Sequence, residues 1–196
     1  MDWMQIFTLV TGVIYIILEI RQKNSMWYVG ILTSIAAMWV FFRQDLYASF
    51  GLNTYYLITS IIGLWQWKRD KDIISTDKTD ESGNKDIIHL NRLNWKTVAA
   101  SALITIAGTV LLAEIMLKLE NPMSYIDSAV TVLSAVATWW LVKAYLQQWW
   151  LWIAADLMST ILCLTQGLWW MSLLYALYTL SAFYGLYHWK RNGEYI

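Results

Sequence analysis

Long apolar segments alternate with short polar turns along most of this chain. Each segment holds about 20 residues, which is enough for an α-helix to cross the ~30 Å hydrocarbon core of a bilayer. The pattern therefore predicts an all-α integral membrane protein with seven transmembrane helices. The predicted helices cover residues 4–20, 25–42, 46–67, 96–117, 124–142, 149–166 and 168–189.

One polar stretch interrupts the pattern for much longer than a turn. It begins KRDKDIISTDKTDESGNKD, carries charge throughout and shows no apolar periodicity, which is typical of a solvated linker. The chain is therefore predicted to have four parts: a first three-helix unit (1–67), a cytoplasmic linker (68–95), a linking transmembrane helix (96–117) and a second three-helix unit (124–191).

The two three-helix units are related by an internal repeat. When the chain is shifted against itself by 122 residues, Trp27 aligns with Trp149, and GLWQWKR at 63–69 aligns with GLYHWKR at 185–191. A three-helix unit repeated directly would insert with the opposite orientation, so the single linking helix restores the same orientation in both. The pattern predicts a 3+1+3, SWEET-like arrangement of parallel repeats. Transporters of this build bind substrate near the membrane midplane between the repeats.

Composition also indicates a membrane protein. Of the 196 residues, 58% are hydrophobic and 14% are charged, whereas soluble domains average about 25% charged residues. The formal net charge is zero, so no basic surface points to nucleic acid. The single cysteine, Cys163, excludes an intrachain disulfide, and the sequence contains no phosphate-binding loop or catalytic set. We therefore expect no enzymatic activity, no cofactor and no metal site.

Basic residues are distributed unevenly over the loops that join the predicted helices. One side carries only Arg43 and Lys118, and the other carries 12 lysines and arginines. Because positively charged loops stay in the cytoplasm, we expect the N-terminus outside the cell and the C-terminus in the cytoplasm. Tryptophans near helix ends are typical of interfacial belts, and ten occupy such positions: Trp3, Trp27, Trp65, Trp67, Trp95, Trp139, Trp140, Trp149, Trp150 and Trp189.

An aspartate in the sixth predicted helix stands out from its apolar surroundings. Trp149, Trp152 and Asp156 are spaced i, i+3 and i+7, so they share one helix face. Asp156 lies roughly 10 Å deeper than Trp149, near the midplane, where a carboxylate costs on the order of 2.5–3.5 kcal/mol. One interpretation is that it accepts hydrogen bonds from hydroxyls on neighbouring helices and locks the packing. The favoured interpretation is that it faces a substrate.

Aromatic faces beside one carboxylate suit a flat cationic ring, because a cation over Trp or Tyr gains about 0.5–2 kcal/mol. Further candidate residues lie on other helices, and for each aromatic one the alternative is lipid contact or core packing. They are Asn53 in the third helix, Tyr175 and Tyr178 in the seventh, and the repeat equivalents of Trp149 and Asp156, which are Trp27 and Ser34.

These residues resemble the substrate motif of the PnuC family, the nicotinamide riboside transporters. The resemblance rests on the WxxWxxxD pattern of Trp149, Trp152 and Asp156, and on LYAS at 46–49, GLWQW at 63–67 and QGLWWMSLLY at 166–175. It implies facilitated diffusion of a vitamin precursor, which a cytoplasmic kinase then traps by phosphorylation, and a homotrimer with one path per protomer. It also implies that the three motif residues contact the substrate and that Asn53 occupies a polar position in the third helix.

Two residues depart from the pattern of those nicotinamide riboside transporters, which have Gln in place of Asn53 and Asn in place of Asp156. A carboxylate favours a cation, and the similar PnuT branch of the family carries thiamine, which is also a flat cation. Thiamine is therefore narrowly preferred over nicotinamide riboside. Two alternatives stay open: a nicotinamide riboside transporter, and a proton- or sodium-coupled vitamin symporter that uses Asp156 or Glu114 as the coupling acid.

Overall fold

Seven α-helices and two short strands make up the described part of the chain, which comprises residues 3–43, 47–77, 88–118 and 125–195 of a computed structural model. The prediction of an all-helical protein with seven helices is confirmed. Each helix begins and ends within three residues of its predicted bounds, except for the end of the third. In chain order the elements are α1 (Trp3–Ile20), α2 (Ser25–Arg43), α3 (Tyr47–Asp77), β1 (Ile88–Leu90), α4 (Trp95–Lys118), α5 (Tyr125–Val142), α6 (Gln148–Thr165), α7 (Trp169–Asn192) and β2 (Gly193–Tyr195).

The outer surface of α4 is apolar. Among its 24 residues only Ala113 and Met116 are buried, whereas Leu103 and Ile106 are 69% and 68% exposed. Exposed apolar side chains on this scale are unfavourable in water and are typical of a helix that faces lipid. Within the described ranges, α4 and α5 are long and apolar enough to cross a membrane, with mean hydropathies of 2.0 and 1.4.

The segment predicted to be a solvated linker contains regular structure. Helix α3 continues to Asp77, and Ile88–Leu90 is a buried strand that pairs in parallel with Gly193–Tyr195. The sequence did not indicate this regular structure, because a polar sequence can prolong a helix and because the partner of the strand lies at the far end of the chain. The assignment of residues 68–95 as a cytoplasmic linker stays a prediction. Residues 78–87 of the predicted linker lie outside the described residues.

The elements divide into two compact units. The first contains α1, α2, α3 and the two strands, and the second contains α4, α5, α6 and α7. In the first unit the Trp27 side chain is fully buried over Gly63, where an added Cβ would come within 2.5–2.7 Å of the indole ring. Trp67 stands edge-on to Trp27, with ring centroids 5.0 Å apart. The missing side chain at Gly63 therefore allows α2 and α3 to approach closely.

A fully buried histidine ties β1 to the helices of the first unit. The Gln22 side chain accepts a hydrogen bond from the backbone N–H of His89 at 2.8 Å. It also donates one to the backbone carbonyl oxygen of His89 at 2.9 Å. The imidazole stands edge-on to Trp67, and its Nε2 lies 3.8 Å from an Asp70 carboxylate oxygen. Burial, together with the positive charge of Lys71, lowers the pKa of His89 to about 4, because removing water from the ring outweighs the attraction of Asp70 for a proton. His89 is therefore neutral at pH 7.

The second unit has a tryptophan pair of the same kind. The Trp149 side chain is 2% exposed and lies over Gly185, and Trp189 stands edge-on to it with ring centroids 5.4 Å apart. Elsewhere in this unit the indole N–H of Trp140 donates to Ser101 Oγ at 3.0 Å, which links α5 to α4. Indole rings thus make helix–helix contacts at both places.

Half of the tryptophans predicted for interfacial belts are buried in this way. Position near a helix end does not separate an indole that anchors in the interface from one that packs against a neighbouring helix, because both occur there. Trp65, Trp95 and Trp150 are 63%, 73% and 56% exposed, as expected of a belt. The prediction is wrong for the buried set, which comprises Trp27, Trp67, Trp140, Trp149 and Trp189.

Candidate functional site

Asp156 lies in the middle of α6 and is 9% exposed. Among the residues that the structure describes, its carboxylate has no hydrogen-bond or ion-pair partner. The next hydroxyls along the helix are occupied: Ser159 Oγ donates to the Ala155 carbonyl oxygen at 2.9 Å, and Thr160 Oγ1 donates to the Asp156 carbonyl oxygen at 2.7 Å. The described helices therefore give no support to the interpretation in which the carboxylate locks the packing. A buried carboxylate left in this state is costly, which favours a ligand as its partner.

The two tryptophans of the predicted motif have different surroundings. Trp149 fills the gap over Gly185 and is almost completely buried, which makes it a packing residue. Trp152 is only half-buried. The indole Nε1 atoms of both tryptophans are enclosed and find no acceptor in the described part of the chain. Trp152 and Asp156 are one helical turn apart. An enclosed donor and the carboxylate of a buried residue, both without a described partner, therefore share one face of α6.

Two tyrosines of α7 lie close to this face. Tyr175 and Tyr178 are half-buried, with ring centroids 6.2 Å apart at an interplanar angle of 88°. The hydroxyls of both are within electrostatic range of the Asp156 carboxylate. Ser172 Oγ of α7 donates to the Thr160 carbonyl oxygen of α6 at 3.3 Å, which holds the two helices together at this level. In the second unit, Tyr175 and Tyr178 thus lie within electrostatic range of Asp156, which shares a face of α6 with Trp152. Contact of these residues with a substrate stays a prediction.

The candidate residues of the first unit are more varied. Trp27 is fully buried between Gly63 and Trp67, so its side chain is a packing element. Ser34 is 4% exposed in α2, and Asn53 is half-buried in α3, where it has interactions of its own. Contact of Ser34 and Asn53 with a substrate stays a prediction.

Sequence reasoning missed one buried acid. Glu19, at the end of α1, is 4% exposed and is the only acid in the apolar segment 4–20. The same signal that identified Asp156, a carboxylate within an apolar run, was present there. Within the described ranges, no three His, Cys, Asp or Glu side chains are grouped closely enough to hold a metal ion.

The sequence of this chain matches a known family of membrane transporters. The family model for nicotinamide mononucleotide transporters matches residues 2–191. The chain is 22% identical over 193 residues to the nicotinamide riboside transporter PnuC of Haemophilus influenzae, covering 97% of this chain and 80% of that protein. It is 23% identical over 213 residues to the protein of the same name from Escherichia coli, covering 99% and 87% of the two chains.

A solved structure shares the fold. The crystal structure of the vitamin B3 transporter PnuC superposes with a TM-score of 0.67 and covers 93% of this chain and 78% of that one. The two sequences are 20% identical. At this identity the likeness shows a common helical architecture, while the ligand has to be argued from the residues of this chain.

Proposed function

Because the chain belongs to the nicotinamide mononucleotide transporter family, we propose that it carries a small, flat, cationic vitamin across the bacterial inner membrane by facilitated diffusion. The family is one of membrane transporters, so no residue is assigned a catalytic role. The observation that carries the proposal is the pair formed by the Trp152 indole N–H and the Asp156 carboxylate, which lack described partners on one face of α6.

This pair suits a ligand whose edge has an acceptor next to a donor. In nicotinamide riboside the carboxamide oxygen can accept from the Trp152 N–H, and the carboxamide NH₂ can donate to Asp156. The pyridinium charge gains further from the carboxylate and from the aromatic faces of Tyr175 and Tyr178, which are half-buried beside it. The ligand would then supply a hydrogen-bond partner to both groups, which removes the cost of leaving them unpaired.

Nicotinamide riboside is our first candidate, in the reverse of the order inferred from the sequence. Relatives that align over most of this chain are named as nicotinamide riboside transporters, and the related structure as a vitamin B3 transporter. Thiamine stays the second candidate, because its aminopyrimidine also offers an acceptor next to an amino group and its thiazolium ring is a cation that suits Asp156. A proton- or sodium-coupled mechanism through Asp156 is the remaining alternative.

We propose a 3+1+3, SWEET-like architecture for the chain, with repeats joined by α4. Helix α5 begins 122 residues after α1, and α7 begins 122 residues after α3. Gln22 and Ala144, which are also 122 residues apart, both adopt the left-handed conformation, with φ of 47° and 52°. The two tryptophan pairs, each with its glycine, recur at the same offset. The helix starts and the two left-handed residues support the repeat independently of residue identity.

The proposal also covers the orientation of the chain in the membrane, its oligomeric state and the trapping of its substrate. The excess of basic residues in one set of loops supports an outside N-terminus and a cytoplasmic C-terminus. By resemblance to the family, the functional form is a homotrimer. A cytoplasmic kinase would trap the vitamin by phosphorylation and keep facilitated diffusion running inward.

Uptake by proteoliposomes tests the proposal. We expect the purified protein to equilibrate labelled nicotinamide riboside, or thiamine, without accumulation when a proton or sodium gradient is imposed. Accumulation driven by either gradient would establish the symport alternative. If neither vitamin moves, the proposed function is wrong.

Two variants test the site. Asp156→Asn replaces a charged acceptor with a neutral one, so KM for nicotinamide riboside should rise about 5- to 10-fold. KM for the uncharged dihydro form should rise much less. Trp152→Phe, which removes only the N–H and part of the ring, should also raise KM, while Trp150→Phe on the exposed side of α6 should not. Equal losses for the charged and uncharged ligands would show that Asp156 does not recognise charge.

A further inference from the structure

Three helices of the first unit converge at Gly30 in α2. A Cβ added there would lie 2.8 Å from Ser60 Oγ of α3 and 3.6 Å from Tyr15 Cε2 of α1. Gly30 and Ser60 are buried and Tyr15 is half-buried. The space beside this point of α2 is therefore already filled by a tyrosine ring and a serine hydroxyl, and no side chain larger than hydrogen fits without displacing them.

At the equivalent positions of the second unit, the small residue is replaced by a large one and the two larger residues by small ones. At the offset of 122 residues, Gly30 corresponds to Trp152, Tyr15 to Ala137 and Ser60 to Ala182. Both alanines are buried, with exposed fractions of 0% and 3%. A glycine beside two larger residues in one unit thus corresponds, at the same offset, to a tryptophan and two of the smallest residues in the other. Close packing keeps the total side-chain volume at one place nearly constant, so an added indole requires smaller residues around it.

We infer that Ala137 and Ala182 are specificity-determining residues, because they leave the space in which the Trp152 indole lies. This inference rests on the proposed role of Trp152 in substrate binding. In the first unit Tyr15 and Ser60 fill the corresponding space, so only the second unit presents an indole to the vitamin. The small residues at positions 137 and 182 would leave room for the half-buried Trp152 ring on the face that it shares with Asp156.

A larger side chain at position 182 would displace the indole from its place. We expect Ala182→Leu to raise KM for nicotinamide riboside about 3- to 30-fold, the range expected when an aromatic contact with a cation is lost. The matched control is Ser60→Leu, which adds bulk at the equivalent position beside Gly30. Ser60→Leu should leave KM unchanged, because the first unit presents no indole to the ligand.

Thermal stability supplies a measurement that needs no substrate. Ala182→Leu should lower Tm by about 2–10 °C through overpacking. When Trp152 is first replaced by alanine, the same substitution should lower Tm by less than half as much, because residues in contact couple. A KM increase confined to Ala182→Leu, together with this coupling, supports the inference.

Three results would overturn it: no change in KM for Ala182→Leu, an equal change for Ser60→Leu, or additive Tm shifts at positions 152 and 182. If the wild-type protein transports none of the vitamins, the proposed function fails instead. The inference about packing is then decided by the Tm coupling alone.

Discussion

Adding one methyl group to Gly63 tests a close contact between α2 and α3 in the first unit. The new Cβ would lie 2.5–2.7 Å from three atoms of the Trp27 ring, and that ring is fully buried with Trp67 edge-on against it. A rigid, enclosed indole cannot move aside easily, so overpacking should cost about 1–3 kcal/mol. Alanine gains about 0.5–1 kcal/mol over glycine within a helix. The net loss should therefore be up to about 2.5 kcal/mol, which lowers Tm by up to roughly 10 °C.

Two other glycines serve as control and comparison positions, and the single cysteine serves as a probe of unfolding. Gly51 lies in the same helix with nothing within 4 Å of an added Cβ, so Gly51→Ala should leave Tm unchanged or raise it. Gly185→Ala should reproduce the loss, since its Cβ would collide with Trp149. The single cysteine, Cys163, is buried, so labelling by a thiol-reactive dye during heating reports unfolding. Equal Tm values for Gly63→Ala and Gly51→Ala would refute the packing argument, and a loss at only one of Gly63 and Gly185 would refute the equivalence of the two contacts.

Two further predictions concern the contacts that hold β1. Because the pKa of His89 is lowered from 6.5 to about 4, the unfolded chain binds the proton more readily than the folded protein. The free energy of unfolding therefore keeps its full contribution from His89 above pH 6.5 and falls, by up to about 3 kcal/mol, as the pH drops towards 4. The plot of Tm against pH should be flatter in His89→Asn over this range. A wild-type Tm that does not fall between pH 6.5 and pH 4 would contradict the lowered pKa of His89. Gln22→Gly and Ala144→Gly both place glycine at a positive φ, but only the first removes two buried hydrogen bonds to His89. Gln22→Gly should thus lower Tm by about 4–12 °C relative to Ala144→Gly, and equal Tm values would show that the amide bridge contributes no stability.

Much of the fold follows from local sequence. A helix that crosses a bilayer must be long, apolar and internally hydrogen-bonded, so its position can be recognised from a single segment of chain. This is why the predicted bounds agree with α1, α2, α4, α5, α6 and α7 within a few residues. The end of α3 was missed because its last turns extend beyond the apolar segment.

The candidate site was only partly accessible to the same reasoning. The i, i+3, i+7 spacing placed Trp149, Trp152 and Asp156 on one face of α6. It did not distinguish Trp149, which is almost completely buried over Gly185, from Trp152, which is only half-buried. That distinction depends on a glycine in another helix, and helical spacing carries no information about it.

The sequence by itself determined the helices, the offset between the repeats and the presence of one carboxylate deep in an apolar segment, because each is a property of neighbouring residues or of a fixed spacing. Only the tertiary structure decided which tryptophans pack, that His89 is buried against Gln22 and Trp67, and that Asp156 has no described partner. These outcomes depend on contacts between helices far apart in the chain. Burial and pairing, which set the energy of a polar group, arise only when those helices meet.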